Sequence, residues 1–293
     1  MQSREIYSSD PARGWIPWGA LAPFLALAFV IASLLVGTEI VTPLANLDTQ
    51  GSPRDANALV AFAFVPFGLL LLLLLAWVRF VERRPLASVG LQHEHMFRSY
   101  LRGHAIGMIS VTAIITVIWI AGGYEASHGA TAYSNPSAMV SILLLLPALA
   151  LQSSVEELLF RGWLLSVLAR KFNVIVAIVV SSLLFSFLHF SPDQHWLVTL
   201  GTFMFGIFAC SWALRSRSIL GVMGWHSGWN WLLAVGFGLP LTSIDLGIPP
   251  LLVGMRPIGA DWLTGGAQGP EASVICLAYF ALAIAFFWLR PRH

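Results

Sequence analysis

Glu156, Glu157 and Arg161 stand together in the segment SSVEELLFRGWLL, inside an apolar run otherwise long enough to cross a bilayer. An ionisable group at bilayer depth costs several kcal/mol unless it is paired or faces a wet cavity, so such a cluster marks a functional site by default. On a helix, Glu157 and Arg161 lie four residues apart on one face with the acid first, the favourable order for an ion pair. Glu156 is turned by about 100° from its neighbour, which leaves a second carboxylate pointing elsewhere and able to accept a proton. Two further segments put polar groups into apolar runs. In FSFLH, Phe185 and His189 are four apart, so the aromatic ring can wall one side of the imidazole; in HSGWN, His226 and Asn230 repeat that spacing. A carboxylate, two imidazoles and an amide on three helices are the groups that hydrolysis needs: a base for water, donors for an oxyanion and a proton for the leaving group.

Each group has an ordinary structural use. A buried histidine is commonly a satisfied core residue, an asparagine such as Asn230 commonly bonds neighbouring helices, and the Glu157–Arg161 pair can be purely structural. Their conjunction carries the functional reading, because the other apolar runs hold almost no ionisable residues. His104, at the basic end of the third run, and His195, in a short connection, are assigned to the membrane interface. Metal chemistry stays open, since Glu156, His189 and His226 would also be a zinc ligand set. No H-E-x-x-H motif is present, Asp245 and Asp261 lie in a connection, and Ser227, next to His226, points about 100° away from it.

The elements that must position these groups are membrane helices. With 57% hydrophobic and only 10% charged residues, the composition excludes a soluble domain. Eight apolar runs are long enough to consider as spans, near residues 18–37, 58–79, 103–122, 138–169, 173–190, 197–214, 219–236 and 272–289. The first is expected to be retained, having no small-residue cleavage site behind it. Thirteen of the 16 basic residues fall in alternate connections, only Arg54 and Arg256 fall in the others, and Arg161 lies within a run. That alternation predicts an all-α, polytopic bundle with both termini cytoplasmic. Basic residues divided among five segments give no nucleic-acid surface. Cys210 and Cys276 sit within runs and are expected to be packing residues. The chain reads as one membrane domain, 1–293, with its chemistry concentrated in 140–235. The Gly- and Pro-rich, apolar connection 237–271 is expected to cover a cavity. The fourth run is too long for one upright span, and must tilt, bend near Pro147 or protrude.

The motifs E-E-x-x-x-R, F-x-x-x-H and H-x-x-x-N, in this order on separate runs, resemble the CPBP family of intramembrane proteases, which includes the CAAX prenyl endopeptidases and the bacteriocin-immunity (Abi) proteins. The likeness covers about a third of the chain, with no departure at the seven motif positions. It implies that Glu156 activates the attacking water, that His189 helps to orient it and that a neutral His226 with Asn230 stabilises the oxyanion. Glu157, Arg161 and Phe185 would shape the site. Family members are commonly labelled metalloproteases although their glutamate is thought able to act alone; the reading taken is that no metal is required, with Zn2+ the alternative. The expected partners are a bilayer, that of the cell membrane, and a membrane-associated protein or peptide, whether prenylated or exported. Oligomeric state is not legible. Two other classes remain open: a non-catalytic immunity or scaffold protein, and a proton-coupled transporter, for which no repeated halves are visible.

Overall fold

A computed structural model of the chain describes residues 6–7, 12–47, 54–92, 95–241 and 243–289. Arg4, Arg290 and Arg292, used in the charge count, lie outside the described residues. Among the described residues are eight long helices: α1 (Ala22–Val41), α2 (Ala56–Val81), α3 (Met96–Ile120), α4 (Pro136–Lys171), α5 (Val174–Leu188), α6 (Trp196–Ser216), α7 (Leu220–Gly236) and α8 (Val274–Leu289). They coincide with the eight apolar runs to within about four residues, except that α3 starts seven residues earlier than its run. Five of them, α1 to α4 and α6, are long and apolar enough to cross a membrane, while α5 and α8 are apolar but shorter. Several starts are set by side chains that accept an otherwise orphaned N–H. Asp55 caps α2 through Ala58 N, Asn135 caps α4 through Ala138 N with Pro136 following, and Asn173 caps α5 through Val176 N. Each such cap contributes about 1 kcal/mol.

The 36 residues of α4 form one continuous helix, with Pro147 inside it. Directly after Glu157 its winding changes, and the helix is π-helical over Leu158–Leu164. A π turn leaves carbonyls that an α turn would satisfy, and in a buried helix they need other donors. Neighbouring side chains supply them. The Tyr7 hydroxyl donates to the Arg161 carbonyl at 2.5 Å, and the Ser181 hydroxyl donates to the Phe160 carbonyl at 2.9 Å.

Helices α3 and α7 touch backbone to backbone through glycines. A Cβ at Gly107 would lie 2.1 Å from the Trp225 carbonyl oxygen, and one at Gly224 would lie 2.0 Å from that of Tyr100. Small residues at this spacing are what lets membrane helices approach so closely. His104 belongs to this contact, half-buried with Nδ1 3.2 Å from the Ser227 hydroxyl. His195 is exposed and accepts from Leu197 N at the start of α6.

Hydrogen bonds define the two ends of the bundle. At one end Arg217 reaches the Tyr7 carbonyl, Gln92 the Arg217 carbonyl, and Gly14 N the Glu82 carbonyl. Buried Glu82 pairs there with Arg84 and accepts from the indoles of Trp77 and Trp163. At the other end Ile258 N bonds Gly123 O, Ala132 N bonds Pro250 O and Leu251 N bonds Val235 O. That end also carries a two-stranded antiparallel ribbon, β1 (Tyr124–His128) with β2 (Gly254–Pro257), in which Glu125 pairs with Arg256. The ribbon departs from the all-α expectation, because strands more than 120 residues apart leave no local pattern to read. Cys210 and Cys276 are free and buried.

Candidate active site

The π segment begins where the chemistry does. Glu157, on the last α turn before it, is fully buried, and its Oε1 accepts from Arg161 Nη1 at 3.0 Å and from His226 Nδ1 at 2.9 Å. The expected i,i+4 pair therefore exists and has a third member from α7. Nε and Nη2 of Arg161 have no hydrogen-bond partner among the described residues, nor has Oε2 of Glu157. Aromatic faces partly compensate: the guanidinium carbon lies 4.3 Å from the Phe185 ring centroid and 4.9 Å from that of Phe205.

Glu156 takes the other direction, as the helical offset predicts. Its Oε2 is 3.9 Å from His226 Nε2, too long for a direct hydrogen bond and a gap that one bridging atom can fill. Gln152, one turn earlier, donates weakly to Oε1 at 3.4 Å. His189 follows the last turn of α5, where its Nδ1 lies 2.8 Å from the Phe185 carbonyl. A carbonyl can only accept, so that nitrogen carries a proton, and in the neutral ring Nε2 keeps its lone pair. The Phe185 ring stacks on the imidazole at 4.2 Å, the wall expected from the spacing. Asn230 donates to the Ser153 hydroxyl at 3.3 Å.

Glu156, His189, His226 and Asn230 line one cavity of about 160 Å³, and Phe185 walls it. Its other polar lining includes Gln152, Thr202 and Glu271, the last accepting from the Trp229 indole at 2.9 Å. Leu241, Ile244 and Leu246, from the connection expected to cover a cavity, roof it. Sequence reading did not single out Gln152, Phe205 or Glu271. Gln152 carried a signal, lying four residues before Glu156; the other two are brought in by tertiary packing alone.

Residues 138–232 match the family model described as type II CAAX prenyl endopeptidase, Rce1-like. Comparison with curated proteins and with solved structures gives no match. The matched segment contains all seven motif positions, Glu156 through Asn230, and runs from α4 into α7. The match covers about a third of the chain, and the five membrane-length helices support a multi-pass membrane protein. Within that segment the donor chemistry of Glu156, His189 and His226 suits zinc, since both imidazoles have Nδ1 engaged and Nε2 turned to other use. The geometry does not. Among the described residues no three His, Cys, Asp or Glu side chains converge on a position that a metal ion could share.

Proposed function

We propose that the chain is an intramembrane endopeptidase in which Glu156 activates water to cleave a peptide bond in a membrane-associated protein or peptide. The observation that carries this reading is the convergence of a buried carboxylate, two oriented imidazoles and an amide on one cavity. Water attacks the scissile carbonyl carbon as Glu156 takes its proton. The bare Nε2 of His189 accepts from the same water and orients it. The new oxyanion accepts hydrogen bonds from His226 and Asn230, each donor contributing about 3–4 kcal/mol if well placed. Glu156 then passes its proton to the departing nitrogen, and the C–N bond breaks to leave a carboxyl group and an amine.

The His226 contact to Glu157 refines one expectation. A carboxylate holding Nδ1–H leaves a neutral ring without a proton on Nε2, so His226 can donate into the cavity only as the imidazolium. Its charge is then offset by Glu157, which also neutralises Arg161, while Glu156 supplies the second negative charge. Eight crossings with both termini cytoplasmic, the arrangement given by the basic connections, complete the proposal.

The test is cleavage of a fluorogenic peptide set, including a prenylated member, by detergent-purified protein and by Glu156→Gln, each with and without a chelator. Expected is turnover that survives chelator and falls at least 100-fold in the variant. Loss with chelator would require a metal. Turnover unchanged in Glu156→Gln would remove Glu156 as the base, whereas no turnover of any peptide by folded wild type would favour the scaffold reading.

A further inference from the structure

In α2, α5 and α6 the charge pattern and the cavity lining occupy opposite ends of the helix. In α6, Val198, Gly201, Thr202 and Phe205 line the cavity, whereas Arg215 lies in the last turn, about 20 Å beyond Thr202 at 1.5 Å per residue. In α5 the lining residues Phe185 and His189 come at the end remote from Asn173, which follows Arg170 and Lys171. Leu59 lines the cavity from the first turn of α2, and Arg79 lies in its last. Glu156 itself lies mid-helix, about 21 Å along α4 from Arg170 and about 30 Å from Pro136.

Between the cavity and the basic end the interior is solid. Leu159, Trp163, Leu164, Val167 and Leu168 are at most 1% exposed. Below them the buried Glu82–Arg84 pair and the inserted Tyr7 fill the end of the bundle. Toward the opposite face the cover is a loop. Gly238 and Gly247 flank it with φ of +63° and +59°, and no atom within 4 Å would meet a Cβ at Gly247. Ile244, on that loop, both lines the cavity and is 39% exposed.

We infer that the cavity is entered from the membrane face opposite the basic connections, and that its substrate is a peptide segment exposed on the extracytoplasmic side. The inference rests on the peptidase reading and on the rule that Lys- and Arg-rich connections stay cytoplasmic. The only basic residues on the entry side are Arg54 and Arg256, and Arg256 is held by Glu125 on the ribbon. A cytoplasmic protein tail would have to cross the packed half of the bundle to reach Glu156.

Sidedness is measured with the full chain in right-side-out and inside-out membrane vesicles. A membrane-impermeant fluorogenic peptide that detergent-purified protein cleaves should be cut by right-side-out vesicles directly, and by inside-out vesicles at least tenfold more slowly until detergent is added. The reverse order overturns the inference. A second arm does not depend on turnover: Asp245→Cys in the roof loop and Met96→Cys at the start of α3, each labelled with an impermeant maleimide, against native cysteines that are buried. Labelling of position 245 from outside and of position 96 only in inside-out vesicles is expected, and the opposite pattern overturns the inference. If detergent-purified protein cleaves nothing, the peptidase reading fails while the labelling still decides which face the cavity meets.

Discussion

At the scale of single residues, Glu157 is the hinge of the site because it serves two cations at once. Replacing it with Gln keeps the shape but leaves the buried Arg161 guanidinium without an anion. Breaking a buried pair from one side costs about 3–5 kcal/mol, so Glu157→Gln should melt markedly lower in detergent than wild type. Tyr7 is the second testable residue. Burial, then the nearby Cys210 and Glu157, push its phenol well above the ordinary tyrosine value, while Arg161 opposes the shift. A raised value means that the unfolded chain loses this proton first. The stabilisation is therefore complete below the ordinary value near pH 10 and is lost as pH rises above it. Tyr7→Phe leaves the Arg161 carbonyl without its donor, costing about 1–3 kcal/mol. The variant should also lose less stability than wild type when a melting series is carried past pH 10. The i,i+4 pairs were legible in the sequence because helical geometry alone brings Glu157 to Arg161 and Phe185 to His189. The tie from His226 to Glu157 was not, since it joins residues 69 apart across two helices.

Among the elements, α3 governs the site without entering it. Its glycines allow α7 to lie against it, and α7 carries His226 and Asn230. Gly107→Val forces a side chain into the Trp225 carbonyl, so the helices must separate and the two donors must shift. A displacement of about 1 Å is enough to cost on the order of 100-fold in rate. Peptide cleavage by Gly107→Val should fall to that degree, whereas Gly68→Ala, on α2 with open space beside it, should retain wild-type turnover. The helices themselves could be read from apolar runs because membrane-length hydrophobicity is a property of one segment. The π winding after Glu157 could not, because it depends on donors that Tyr7 and Ser181 bring from other parts of the chain. The ribbon was invisible for the same reason, being a pairing between distant loops.

At the scale of the whole molecule, the site is a shared construction. The segment matched by the endopeptidase family ends at residue 232, yet Leu241, Ile244, Leu246, Glu271 and Phe280 line the cavity from beyond it, and Leu59 lines it from before. The glycine seam with α3 and the phenol of Tyr7 also come from outside the match. The segment bearing every motif is thus not a transplantable cassette. A polypeptide of residues 138–232 alone, inserted in a bilayer, should cleave none of the peptides that the full chain cuts, even though it retains Glu156, His189, His226 and Asn230. By the same logic, chains that keep the motifs but replace their surroundings can diverge in what they accept, since the walls of the chamber drift independently of the groups that do the chemistry.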